Sequence, residues 1–224
     1  MSLTPYYERD GITIYCGDCR DVLPQLVLAE VDVVLTDPPW GIDGSSGTIN
    51  EERAKGDYQT AAFDDTGEYI TDLVVPVMSL LIGSIGCVVV TPGSKHITAY
   101  PQPDSFGAFY QPASVGLQTF GNGDAQPIFY YGKNALGRNM GVPCSYQLTE
   151  APEPNGHPCP KPIKAWRKLL SNISKPGHRV LDPFMGSGTT MRAALDLGRQ
   201  AIGIEIEERY CEIAVSRLRQ GVLL

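Results

Sequence analysis

The stretch His178-Arg-Val-Leu-Asp-Pro-Phe-Met-Gly-Ser-Gly-Thr-Thr190 decides how this chain of 224 residues is read. Val180–Asp182 is a short apolar run ending in an acid, a turn with Gly186 and Gly188 follows, and a helical pattern over Thr189–Leu197 begins at once. Strand, glycine turn and helix in that order make the local unit that cradles a nucleotide. Glycine lets the backbone turn sharply and approach a ligand, and the first helical turn offers unpaired N–H donors. The next apolar run, Ala201–Ile206, carries Glu205 near its end, where an acid can accept from ribose hydroxyls. Thr189 and Thr190 stand where a dinucleotide fingerprint has its third glycine, so a nucleoside ligand without phosphates fits better than a pyrophosphate.

Working outward, further apolar and β-branched runs predict strands over Gly11–Cys16, Val31–Thr36, Cys87–Thr91 and Ile128–Tyr131. Helices are predicted over Tyr69–Leu81, Ile163–Ile173, Thr189–Leu197 and Glu207–Arg219. Strands without polar alternation are buried on both faces, and their alternation with helices predicts an α/β fold with a mostly parallel, doubly wound sheet. The length suits a single domain over residues 1–224. Two irregular segments rich in Gly, Pro and polar residues, 41–66 and 132–162, are long enough to be functional loops.

Composition narrows the class. With 42% apolar and 19% charged residues the chain reads as an ordinary globular protein. The apolar run Leu73–Ile85 contains Pro76 and falls short of a membrane span, and no secretory signal is read, so a cytoplasmic protein without membrane association is expected. The net charge of −7 counts mildly against nucleic acid. Three basic clusters (Arg53 and Lys55; Lys133 and Arg138; Lys161, Lys164, Arg167 and Lys168) each read as solvated surface. Cys16-x-x-Cys19, with Cys144, His157 and Cys159, has the makings of a zinc site, but buried free thiols are the plainer reading and no metal is expected. His96 and His178 suggest no partners.

The second chemical motif follows the strand Val31–Thr36: Asp37-Pro38-Pro39-Trp40. In open α/β sheets the reactive groups sit beyond the carboxyl ends of strands. Two prolines remove two N–H donors and leave an acceptor-rich turn. An amino group on an aromatic ring is a poor nucleophile because its lone pair is delocalised. Acceptors that take both its hydrogens, the Asp37 carboxylate and the Pro38 carbonyl, favour a pyramidal nitrogen, and Trp40 can stack on the ring.

Together, and in this order, the two motifs resemble the β class of DNA amino-methyltransferases, whose catalytic tetrapeptide precedes an Asp-Pro-Phe-x-Gly-x-Gly-Thr-Thr cofactor motif. The resemblance spans most of the chain. It implies a Rossmann-like methyltransferase fold, circularly permuted in motif order, with an antiparallel edge supplied by Ala113–Tyr131. It implies S-adenosylmethionine as cofactor, with Asp182, Phe184, Gly186, Ser187, Gly188 and Thr189 around its methionine part and Glu205 on the ribose. Gly17-Asp-Cys-Arg20 matches the segment whose acid, Asp18, contacts the adenine of the cofactor. His157-Pro-Cys-Pro-Lys-Pro162 resembles the segment that closes over methionine, which brings in Lys161. Phe63-Asp-Asp65 recurs in relatives after the catalytic loop. Catalytic Asp37, Pro38, Pro39 and Trp40 then serve transfer to adenine N6 in DNA, double-stranded by expectation. Segment 41–66 is read as the substrate loop and 132–162 as a reduced target-recognition region, as in a phage-like or orphan bacterial enzyme. Homodimer formation and a separate specificity partner stay open. So do cytosine N4, RNA, a small-molecule substrate and a catalytically silent cofactor-binding module.

Overall fold

The computed structural model describes residues 3–41, 65–111, 117–118, 121–122, 125–137, 143–149 and 161–220. Of the residues singled out above, Arg53, Lys55, Phe63, Asp64, Arg138, His157 and Cys159 lie outside the described residues. In chain order the elements are β1 (Tyr7–Arg9), β2 (Ile12–Cys16), α1 (Cys19–Val22), β3 (Val33–Thr36), α2 (Gly67–Ser84), β4 (Cys87–Val90), β5 (Ser105–Tyr110), β6 (Leu117–Gln118), β7 (Gly121–Asn122), β8 (Ala125–Gly132), β9 (Tyr146–Gln147), α3 (Ile163–Ile173), β10 (Arg179–Asp182), α4 (Thr189–Asp196), β11 (Gln200–Glu205) and α5 (Glu208–Arg219).

Among the described residues, nine strands form one sheet in the order β1-β2-β11-β10-β3-β4-β8-β5-β9, and β6 pairs antiparallel with β7 apart from it. The run β2-β11-β10-β3-β4 is parallel throughout. The two-residue period of these strands sorts their side chains between two cores. Ile12, Ile14, Val33, Leu35, Cys87, Val89 and Val180 pack on one side with Trp166, Leu169 and Leu170 of α3, Met191 of α4 and Ala214 of α5. Val34, Val88, Val90, Leu181 and Ile204 pack on the other side with Leu23 and with Ile70, Val74, Met78 and Leu81 of α2. Burial on both faces explains why these strands read as unbroken apolar runs.

Helix α2 is longer than its sequence pattern. Thr66 caps it by accepting the Tyr69 N–H, and a π turn over Ile70–Val74 leads into the α segment that carries Pro76. Proline has no N–H to return to the preceding turn, so a local shift to i→i+5 bonding, seen in Val75 N–H to Ile70 O, keeps the helix continuous. The resulting 18 residues are long and apolar enough by length and composition to cross a membrane, contrary to the short run expected. Its Ile70, Val74, Met78 and Leu81 are instead fully buried against the sheet.

Ala113–Tyr131 was expected to supply an edge strand. Its long strand, β8, is antiparallel but interior, because β5 pairs along its far side and β9 pairs with β5. Strand β5 follows Pro101 and Pro103 and contains Gly107, which hid it from pattern reading. Its Phe109 ring stacks on Trp166 with centroids 5.7 Å apart, so this missed strand closes one end of the core.

Strand order also places the site. Chain leaves β3 through α2 for β4 on one side, and leaves β10 through α4 for β11 on the other, while β3 and β10 are hydrogen-bonded neighbours. A crevice opens outside the carboxyl ends of two adjacent strands whose connections part in opposite directions, the point at which open α/β sheets bind ligands.

Candidate active site

Both sequence motifs meet in that crevice. Thr36, the last residue of β3, donates its hydroxyl to Asp182 Oδ1 at 2.7 Å, which ties the root of the Asp37–Trp40 turn to the root of the glycine loop. Asp182 is only 2% exposed and also accepts from the Phe184 N–H at 3.2 Å and from the Thr190 hydroxyl. Thr190 in turn accepts from Trp166 Nε1 at 2.9 Å. Burial raises the Asp182 carboxyl to about 6, against the pull of the two hydroxyls and with a further push from the charge of Asp37.

The loop after β10 is shaped by contact as much as by composition. Gly188 has φ +78°, and a Cβ there would come within 2.7 Å of the Ala214 Cβ. Arg217 of α5 donates to Ser187 O at 2.7 Å and to Thr189 Oγ1 at 3.3 Å, pinning the loop from behind. Glu205 closes the other wall. Its Oε2 accepts the Gly186 N–H and its Oε1 the Glu207 N–H, each at 2.8 Å. Burial drives its pKa to about 7, while those two backbone donors oppose the rise. Gly17 N–H donates to Glu205 O at 2.8 Å, so the turn after β2 is held beside the end of β11. Asp18 caps α1 there, and the Arg20 guanidinium beside it holds its carboxyl below the usual range. Tyr69 of α2, unmarked in the sequence, also faces this group: its phenol, raised by burial, feels the charges of Asp18 and Glu205.

Across the crevice, Asp37 is held at both oxygens. Oδ1 takes the hydroxyl of Thr91, the residue after β4, in a short hydrogen bond, and Oδ2 faces Lys161 Nζ at 2.9 Å. Thr91 also receives Trp40 Nε1 on its carbonyl at 3.1 Å, so one buried residue orients both the acid and the indole. Lys161 Nζ stands 4.2 Å from the centroid of the Trp40 ring. Gly93, with φ +68°, backs the same ring so closely that a Cβ would lie 2.6 Å from it. The turn ends at Gly41, whose N–H donates to Asp65 Oδ1 at 2.5 Å and whose carbonyl receives Lys95 Nζ at 2.7 Å, with His96 Nε2 3.2 Å away. The Tyr100 hydroxyl is buried without a hydrogen-bond partner among the described residues, within the influence of the Asp37 and Asp65 charges.

Several expectations change in detail. His96 has a partner, the Gly41 carbonyl. Lys161 and Arg167 are not merely solvated: Lys161 is 11% exposed on Asp37, and Arg167 pairs with Asp196. Lys161, grouped above with the cofactor residues, stands on the Asp37 side of the crevice. Cys16 lies within hydrogen-bonding reach of Cys211, while Cys144 sits by β8, where its carbonyl receives the Tyr130 hydroxyl. No group of three His, Cys, Asp or Glu side chains suited to a metal exists among the described residues.

Known proteins are similar to this chain in sequence and in fold. A family described as DNA methylase, of the N6/N4 methyltransferases, matches residues 128–216. The Type II methyltransferase M2.LlaDCHI of Lactococcus lactis subsp. cremoris is 26% identical, over 97% of this chain and 93% of that protein. Among solved structures, the PvuII DNA methyltransferase (cytosine-N4-specific) superposes with a TM-score of 0.70 at 15% identity, covering 98% of this chain and 90% of that one. The M1.HpyAVI–SAM complex superposes with a TM-score of 0.65 at 23% identity, covering 92% and 99%. These likenesses in sequence and the order of the two motifs support a DNA amino-methyltransferase of the N6-adenine/N4-cytosine family.

Proposed function

We propose that this chain transfers the methyl group of S-adenosylmethionine to the N6 amino group of adenine in DNA. One observation carries the reading: Asp37 and Trp40 are held together at the switch point, directly across Thr36 and Asp182 from the glycine loop. Three carboxylates, Asp18, Asp182 and Glu205, stand around that loop and its neighbouring turn, an arrangement that suits the hydroxyls and amines of a nucleoside and disfavours a phosphate. Asp182, Phe184, Gly186, Ser187, Gly188 and Thr189 would hold its methionine part, Glu205 its ribose and Asp18 its adenine. When bound, S-adenosylmethionine supplies an electrophilic methyl on a sulfonium. Asp37 accepts one hydrogen of the target amine, the Pro38 carbonyl the other, and Trp40 stacks on the base. The acceptors draw the lone pair out of conjugation and stabilise the positive charge that grows on nitrogen, so the chain's contribution is orientation and electrostatics. A base in a duplex must leave its stack to reach this turn. Asp at the first position of the tetrapeptide, by the resemblance, favours adenine. Within a single domain over 1–224, segment 41–66, whose first residue Gly41 donates to Asp65 near its other end, serves as the substrate loop. The short 132–162 region leaves target recognition to few residues or to a specificity partner.

The test is methyl transfer from labelled S-adenosylmethionine to unmethylated DNA, with the product digested to nucleosides and identified by mass. N6-methyladenine is the expected product. N4-methylcytosine would keep the mechanism and move the target, in line with the specificity of the PvuII enzyme that shares the fold. Absence of both would refute the reading. A narrower check concerns Thr91. Thr91→Val removes the hydroxyl that orients Asp37 and little else, so kcat should fall roughly 10- to 150-fold, the equivalent of one hydrogen bond to a charged group at about 1.5–3 kcal/mol. Cofactor affinity should hold; an unchanged kcat would show that Asp37 needs no such support.

A further inference from the structure

Asp37 has two carboxylate oxygens and both are occupied by this chain's own donors. The Thr91 hydroxyl on Oδ1 is fixed, because Thr91 is fully buried and its N–H donates to Thr36 O at 3.1 Å. The Lys161 ammonium on Oδ2 is different in kind: it ends a flexible four-carbon stem that begins just ahead of Pro162, the N-cap of α3. It also lies over the Trp40 ring, 4.2 Å from the centroid, while Gly93 backs that indole. The ammonium thus occupies the two positions that a target base must take, an N–H donor on Oδ2 and a group over the indole. A lysine and a base cannot both be there. A cation left on Oδ2 would also oppose the positive charge that develops on the target nitrogen.

We propose that Lys161 is an exchangeable plug of the base pocket, displaced from Asp37 and Trp40 when the target base enters. The proposal rests on the reading of Asp37 and Trp40 as the base site. The ammonium offers N–H donors to the carboxylate and a cation to the indole face, and a base offers N–H donors from its exocyclic amine and a flat ring to the same face, so plug and base compete for one set of partners. Occupancy by the plug weakens base binding in proportion to its own stability and leaves the glycine loop untouched. Lys161 therefore acts as a positioning residue whose signature is a higher DNA requirement without a change in cofactor requirement.

The experiment compares the unaltered chain with Lys161→Met, Lys161→Gln and Lys161→Arg, using unmethylated genomic DNA and labelled S-adenosylmethionine. Met keeps the stem over the indole without the charge, Gln keeps a polar tip without the charge, and Arg keeps the charge. K161M and K161Q are expected to lower the KM for DNA about tenfold with the KM for S-adenosylmethionine within twofold, and K161R is expected to restore the high DNA value. A raised KM for S-adenosylmethionine with DNA unaffected would overturn the plug and make Lys161 a cofactor ligand. Unchanged KM values for both would overturn it as well. If the unaltered chain methylates no base, the reading of the site falls and the plug with it; methylation by that chain with a static DNA KM in K161M sinks the plug alone.

Discussion

Replacement of Asp37 by alanine is expected to lower methyl transfer by about 10³-fold or more in kcat while leaving cofactor affinity within about twofold. The size follows from what the carboxylate does: removing one preorganised group aimed at developing charge typically costs 10²- to 10³-fold, and Asp37 both accepts a hydrogen and opposes a full charge. The separation of effects follows from geometry. Asp37 is engaged by Thr91 and Lys161, whereas the glycine loop is engaged by Glu205, Arg217 and Asp182. Substitution at Asp37 breaks no bond of the second set. D37N keeps one acceptor oxygen and should recover part of the rate. Equal loss of turnover and of cofactor affinity, measured by single-turnover kinetics beside equilibrium titration, would remove Asp37 from the role assigned to it.

The second large effect is expected at Glu205. Glu205→Ala should weaken binding of S-adenosylmethionine by about 1.5–3 kcal/mol, the range for a hydrogen bond to a charged group. It also strands the Gly186 and Glu207 N–H groups that Glu205 now accepts, which loosens the loop itself. A pH signature separates the ribose role from scaffolding. Burial raises the Glu205 carboxyl to about 7, and ribose hydroxyls donate best to its ionised form. Cofactor affinity should therefore rise with pH up to about 7 and fall towards tenfold per unit below it. E205Q should flatten that profile. Fold stability runs the other way: a buried acid with a raised pKa contributes fully below the ordinary carboxylate range, and that contribution is lost as pH rises through about 7. Titration calorimetry between pH 5.5 and 8 is the measurement. A flat profile in the unaltered chain would place the ribose elsewhere.

Glu205 and Asp182 were legible because their signals are local: each acid ends an apolar run, and the glycine turn lies next to one of them. Thr91, Tyr69 and Tyr100 were not, because a lone Thr or Tyr in a loop or helix carries no pattern. Thr91 matters only because β4 pairs with β3 in a register that sets Val90 opposite Thr36, which brings the following threonine level with Asp37. Lys161 shows the same limit in another form. Sequence placed it near the cofactor by the company it keeps in its segment, while the structure sets its ammonium on Asp37 and Trp40. His96 looked unpartnered because its partner is a backbone carbonyl, which no residue type announces.

The sequence by itself determined the mostly parallel α/β class, the two motif-bearing turns and the order in which they occur. Hydrophobic period, glycine turns and proline turns act over a few residues and can be read where they stand. Only the tertiary structure decided that β8 lies inside the sheet, that Pro76 is absorbed by a π turn, and that Thr36, Thr91 and Lys161 converge on the acids. The π turn is settled within one helix, whereas the place of β8 and the convergence on the acids depend on strand register and crossover direction, which bring together residues as far as 146 positions apart. Side chains that meet across such distances owe their pairing to the packing of two cores against one sheet, and no local pattern encodes it.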